Sequence, residues 1–201
     1  MAQERVSINL IITGVGGQGN VLSSQLIGQA FVQKGYFVTI GETYGASQRG
    51  GSVMSHIRIS SEKQLGPLIP KGKADIILGL EPIETLRVLT QYGGPHTVAF
   101  VNPRPIHPVD VSSGDEKYPD AEEIQKALES LCQKVYSIPA TEKALEMGSP
   151  ILGNMIMIGA LLQTHLLPLE EGGFHKILAQ NFRENPLALN LQALEVGKRM
   201  I

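Results

Sequence analysis

The chain has 201 residues, 42% of them hydrophobic and 18% charged, with a formal net charge of −2. That is the size and balance of one ordinary globular domain, here taken as 1–201. It has no basic surplus for a nucleic-acid footprint and no charge run that reads as a tail.

Aromatic residues make up 5% and tryptophan is absent, which leaves little for stacking bases. A single cysteine, Cys132, excludes an internal disulfide. It also excludes an iron–sulfur cluster held by four thiolates of this chain, or a structural zinc site of the usual kind. The histidines (His56, His96, His107, His165, His175) are scattered without an H-x-x-x-H pair, so no metal site is expected. The apolar runs near the N-terminus and at 151–162 are too short to cross a bilayer, and no cleavage pattern follows the first. A cytoplasmic protein with neither membrane nor nucleic acid among its partners is expected.

The first element is an apolar strand from Asn9 that meets Gly14-Val15-Gly16-Gly17-Gln18-Gly19 and opens into a helix over 17–34 ending at Gly35. Gly14, Gly16 and Gly19 fit the G-x-G-x-x-G spacing. A side-chain-free turn at a helix N-terminus presents unpaired N–H groups and is a ready anion site. The same glycines also serve a plain strand-to-helix turn that lets the helix pack close. The next strand, 36–40, ends in Gly41-Glu42, and Glu42 falls near where a dinucleotide site puts its ribose-binding acid.

A dinucleotide fold would now enter a helix. Instead the chain gives Gln48-Arg49-Gly50-Gly51 and then 52–60, where Val53, Ser55, Ile57 and Ile59 alternate with Met54, His56, Arg58 and Ser60. Period two predicts a half-exposed strand, with 64–69 as its hairpin partner and the polar set toward solvent. Regular alternation resumes with a doubly covered strand at 74–80 and a helix from Pro82 to Tyr92, for which Glu81 is either the start residue or an acid. A strand at 97–101, a proline-bearing connection at 103–119, a helix at 121–133 and a short strand at 135–138 follow. Beyond them the chain reads as helical: 142–147, an all-round apolar helix at 151–162, then 169–181 and 186–200. Asn154 inside the apolar helix either satisfies a buried carbonyl or meets a ligand.

The pattern predicts an α/β protein: a mostly parallel, Rossmann-like three-layer sandwich with an antiparallel hairpin insertion and a helical C-terminus. Its parallel strands share a carboxyl edge, where open sheets bind ligands. That edge collects 14–19, 42–51, Glu81, 102–104 and Thr141. Arg49 beside paired glycines offers a fork for phosphate or carboxylate, or a salt bridge within or between chains.

Together, Gly14-Val15-Gly16-Gly17-Gln18-Gly19, Glu42, Gln48-Arg49-Gly50-Gly51-Ser52-Val53, Lys73-Ala74-Asp75 with Glu81-Pro82, Gly153-Asn154-Met155 and the closing Asn190-Leu191-Gln192-Ala193-Leu194-Glu195-Val196-Gly197 resemble the gamma subunits of 2-oxoacid:ferredoxin oxidoreductases of the pyruvate and ketoisovalerate type. Asn102 to Pro108 with Tyr118-Pro119 is most similar to the beta subunit of the indolepyruvate branch. Tyr44-Gly45-Ala46-Ser47 departs from that branch's histidine–glycine–methionine wording, which leaves the 2-oxoacid open.

The resemblance implies oxidative decarboxylation to an acyl-CoA, with electrons passed to ferredoxin. Thiamine diphosphate and iron–sulfur clusters would be carried by partner subunits and CoA would be the co-substrate. The family's thiamine motif is missing here, so the chain is expected to bind no cofactor alone, to carry no catalytic residue, and to work in a dimer or hetero-oligomer. The candidate site is Gly14, Gly16, Gly17, Gln18, Gly19, Glu42, Gln48, Arg49, Gly50, Gly51 and Asn154. Two other readings remain: a stand-alone dinucleotide-binding oxidoreductase, and a scaffold or regulatory module that kept the fold.

Overall fold

The computed structural model describes residues 5–44, 51–107 and 117–201. Six strands form one sheet: β1 (Ser7–Val15), β2 (Phe37–Tyr44), β3 (Ser52–Ser60), β4 (Ile76–Gly79), β5 (Val98–Val101) and β6 (Lys134–Ser137). Their spatial order is β2-β3-β1-β4-β5-β6. β1, β4, β5 and β6 run parallel, while β3 is antiparallel to both of its neighbours, β1 and β2. β2 therefore points the same way as β1, and five carboxyl ends meet at one edge.

Alternation along the strands sorts side chains into two cores. Leu10, Ile12, Ile57, Leu78 and Phe100 face one side. There they meet α1 (Asn20–Gln33), α4 (Ala140–Glu146), α5 (Gly153–Gln163), α6 (Glu171–Asn181) and α7 (Glu184–Lys198). Ile11, Ile77, Ala99 and Val101 face the other side, against α2 (Pro82–Tyr92) and α3 (Ala121–Leu131). The expected three layers and the antiparallel insertion are both present. α5, preceded by a 3₁₀ turn at Pro150–Leu152, is buried from Gly153 through Leu162, as its all-round apolar sequence requires.

Two expectations about the insertion need correction. The segment 64–69 is not a strand and so not a hairpin partner, and β3 is not half-exposed but mostly buried, an internal strand between β2 and β1. Pro67 lacks a ladder donor, and side chains take the segment's carbonyls instead. Thr39 Oγ1 donates to Leu65 O at 2.8 Å, and Arg58 donates to the Gly66 and Leu68 carbonyls at 3.2 and 3.3 Å. Laid across the sheet, the segment covers the polar face of β3, so that His56 is fully buried. The Ile69 N–H donates to His56 Nδ1 at 3.3 Å, Tyr92 packs edge-on with ring centroids 5.1 Å apart, and Nε2 has no partner among the described residues.

Burial first, and the Arg58 charge second, hold His56 below the usual histidine pKa. The folded chain thus refuses a proton that the unfolded chain accepts below about pH 6.5, and stability falls as pH drops through that window, by at most about 1.4 kcal/mol per pH unit. Urea unfolding at pH 7.5 and 5.5 is expected to show a larger loss for the wild type than for His56→Gln.

Candidate functional site

β1 runs directly into the glycine loop, and hydrogen bonds to residues remote in sequence fix the loop's conformation. The Val15 N–H donates to Gln18 Oε1 at 2.8 Å, and Gln18 Nε2 donates to the Leu80 carbonyl at 2.7 Å. Asn102 Nδ2 reaches the same carbonyl at 3.1 Å and Thr141 Oγ1 at 2.8 Å, while the Thr141 N–H returns to Asn102 Oδ1 at 3.3 Å. One continuous set of bonds therefore ties together the chain just past β1, β4, β5 and β6. A Cβ on Gly14 would sit 2.4 Å from Gln18 Oε1, so Gly14 is glycine to make room for this staple.

The other candidate residues divide by what they contact. The Gly16 N–H donates to Gly51 O at 3.0 Å, which brings the end of the 48–51 segment onto the loop. Gln48, Arg49 and Gly50 lie outside the described residues. Gly19, at φ +86°, caps α1 without a side chain, and a Cβ there would come within 2.2 Å of Asn154 Nδ2. Asn154 is 4% exposed and its Nδ2 has no partner among the described residues, so this amide is not spent on a buried carbonyl. Gly17, at φ +103°, faces open space, with nothing within 4 Å of where a Cβ would be. Among the described residues the N–H groups of Gly17, Gly19 and Asn20 carry no protein acceptor.

Glu42 lies on β2, separated from the glycine loop by the whole width of β3. Its carboxylate accepts from Ser24 Oγ at 3.4 Å and from the Tyr44 hydroxyl, a bond that, with its charge, raises the Tyr44 phenol above its ordinary pKa. A dinucleotide site needs that acid on the strand beside the glycine strand. The inserted β3 puts a strand between that acid and the glycine strand, which counts against the dinucleotide reading.

Glu81 is the N-cap of α2, as a helix-start residue should be, and is 2% exposed. It accepts from the Glu84 N–H at 2.9 Å, the Ile106 N–H at 3.4 Å and the Tyr118 hydroxyl. Burial, reinforced by this carboxylate, pushes the Tyr118 phenol far up, so it stays a donor. Sequence reasoning did not foresee this tether, nor Asn20, whose Nδ2 donates to Val53 O at 3.1 Å while its buried Oδ1 has no partner among the described residues. Its signal was its place directly after the last glycine.

Two cavities flank the loop. One, of about 470 Å³, lies between Gly16–Gln18 and the start of α5, with Thr141 and Asn154 in its wall. The other, of about 520 Å³, lies between the loop, α1 and Tyr44. Among the described residues no three or more His, Cys, Asp or Glu side chains converge as metal ligands, and no helix is long and apolar enough to cross a membrane.

This arrangement can be set beside known proteins. The sequence model of the pyruvate ferredoxin/flavodoxin oxidoreductase family matches residues 9–200. The chain belongs to that family. Indolepyruvate oxidoreductase subunit IorB of Thermococcus kodakarensis is 39% identical over 192 residues, covering 94% of this chain and 93% of its own. The same subunit of Archaeoglobus fulgidus is 35% identical over 190 residues, with the same coverage.

Pyruvate oxidoreductase subunit PORC of Thermotoga maritima shares the fold, with a TM-score of 0.72 at 19% identity over 96% of both chains. So does the 2-oxoglutarate:ferredoxin oxidoreductase of Magnetococcus marinus, solved with 2-oxoglutarate, coenzyme A and succinyl-CoA bound. Its TM-score is 0.74 at 24% identity, over 96% of this chain and 31% of that one. The resemblance drawn from the sequence motifs is borne out, and the chain is a subunit of a 2-oxoacid:ferredoxin oxidoreductase.

Proposed function

We propose that the chain is the cofactor-free subunit of an enzyme that oxidatively decarboxylates indolepyruvate, or another aryl or branched 2-oxoacid, to its acyl-CoA. The end-to-end match to IorB subunits supports the indole branch. When bound in partner subunits, thiamine diphosphate supplies the carbanion stabilisation and iron–sulfur clusters carry the electrons to ferredoxin. This chain's own donor set does not fit a cluster. Its one cysteine, Cys132, is half-buried with its thiol pushed up by burial, and it bonds the Leu128 and Lys134 carbonyls.

The glycine loop is its contribution to the shared site. The observation that carries this reading is a loop held by Gln18, Asn102 and Gly51, yet open at Gly17, with the N–H groups of Gly17, Gly19 and Asn20 unpartnered among the described residues. Fixed N–H groups at a helix start favour an anion, and CoA supplies one at its nucleotide end. Arg49, two residues from the Gly51 carbonyl that the loop holds, adds a guanidinium by its place in the sequence. If CoA does not engage the loop, the same surface serves subunit assembly.

Affinity purification of the complex should recover thiamine- and iron-bearing partners. It should reduce ferredoxin with indolepyruvate and CoA, whereas the isolated chain has no turnover. Arg49→Ala in that complex is expected to raise the KM for CoA about tenfold, in line with loss of a charge-assisted contact. An unchanged KM together with unchanged assembly would remove Arg49 from the site.

A further inference from the structure

A cavity on the α2–α3 side of the sheet has no part in the site described above. It measures about 520 Å³, inside the range of about 300–1,000 Å³ that small-molecule pockets occupy. Its floor is Val101, Ile124 and Leu128, all buried in the core on that side. Its walls carry Pro82, Pro103, Pro105 and Pro119. Proline has no N–H, so the walls offer no main-chain donor at any of these positions. An extended peptide that binds by strand addition needs such donors and finds none there. A flat ring needs none, because it is held by contact with pyrrolidine faces and apolar side chains.

One end of the pocket is itself aromatic. His107 and Tyr118 stand with ring centroids 5.1 Å apart and planes tilted by 51°. Tyr118 is held there, since its hydroxyl donates to the buried Glu81 carboxylate. The ring corner thus exists before a ligand arrives, which spares the cost of ordering it. The charged groups at the mouth select a sign. Asp120 lies there, but its carboxylate is engaged as the N-cap of α3, accepting from the Glu122 N–H at 2.8 Å. Lys117 is exposed and has no ion-pair partner among the described residues. A ligand with a single carboxylate pairs with Lys117 at the rim while its ring reaches the floor. A more highly charged anion would set its surplus charge against Asp120.

We propose that this pocket binds an aromatic monocarboxylate, with the ring between the proline walls and the carboxylate at Lys117. Its occupant sits where it can act on the neighbouring site. The Tyr118 hydroxyl and the Ile106 N–H share Glu81 Oε1, and Ile106 borders the cavity beside the glycine loop. Binding does not require the reaction proposed above, since every group named belongs to this chain.

The chain has no tryptophan, so indole-3-acetate serves as its own fluorescent reporter when titrated with the full chain. A saturable emission shift is expected, with neutral 3-methylindole bound about fivefold more weakly, the worth of one exposed ion pair. Lys117→Gln is expected to bring the acid down to the level of the neutral ring and to leave the neutral ring unmoved. Ala121→Phe, at an exposed lining position on α3, is expected to abolish binding of both, and Gln125→Phe is a second, independent block from the same helix. The proposal is overturned if millimolar indole-3-acetate gives no saturable shift, if binding survives both blocks in folded protein, or if Lys117→Gln leaves the acid-to-neutral ratio unchanged. In equilibrium dialysis the assembled complex is expected to hold more indole-3-acetate than the Ala121→Phe complex, by one molecule per copy of this chain. Equal amounts would mean that a partner subunit covers the pocket, which overturns the proposal as well.

Discussion

Gly197→Ala is expected to lower the thermal unfolding midpoint by about 2–8 °C, although alanine is the better helix former. A Cβ at Gly197 would stand 1.9 Å from the Ile156 carbonyl oxygen and 3.0 Å from the Ala160 nitrogen, both backbone atoms of α5. Side chains at such a contact could rotate away; backbone cannot without moving the helix. Overpacking of this kind costs about 1–3 kcal/mol, occasionally more, against a helical gain for alanine of about 1 kcal/mol or less. The clash wins. Gly172 is the matched control, since it lies in α6 with nothing within 4 Å of its Cβ position. Gly172→Ala is expected to leave the midpoint unchanged or raise it slightly in the same calorimetric scan. Equal effects at both positions would mean that the α5–α7 contact is looser than described.

Glu81→Leu is expected to cost about 3–5 kcal/mol in urea unfolding, the summed effect of a lost cap and of donors left unpaired. Leucine keeps the volume but strands the Glu84 N–H, the Ile106 N–H and the Tyr118 hydroxyl in a site where the carboxylate is 2% exposed. Glu81→Gln keeps an acceptor oxygen and is expected to cost about 1 kcal/mol. The two variants differ in function as well. Ile106 borders the cavity beside the glycine loop, so freeing its backbone should raise the KM for CoA in Glu81→Leu far more than in Glu81→Gln. A Glu81→Leu protein as stable as wild type would mean the carboxylate is not the tether it is taken for.

Elements with local signatures were readable from sequence. The glycine loop announced itself because a strand, a turn and a helix start are encoded within a dozen or so residues, and Pro82 and Gly35 marked ends by their own backbone limits. What was not readable depends on partners distant in the chain. Whether β3 pairs at an edge or slips between β1 and β2 is decided by contacts such as Ser7↔Ser60, which no local pattern encodes. The polar alternation of β3 read as a solvent face because nothing local says that 64–69 folds over His56.

In the site, the glycines and Asn154 were visible as residue types, but their roles were not. Gln18 is also a strut, because Leu80 and Asn102, remote in sequence, take up its amide and share its acceptor. Glu42 sat at the right sequence distance for a ribose contact and in the wrong lane of the sheet.

The backbone-to-backbone seam between α5 and α7 bears on how the site can respond to its neighbours. Where Gly159 meets the Leu194 carbonyl and Gly197 meets the Ile156 carbonyl, there are no rotamers to absorb a displacement. The two helices consequently travel as one rigid bar. Asn154 sits on that bar two residues before Ile156, pressed on Gly19. A displacement of α7 is therefore expected to be felt at the glycine bend through Asn154.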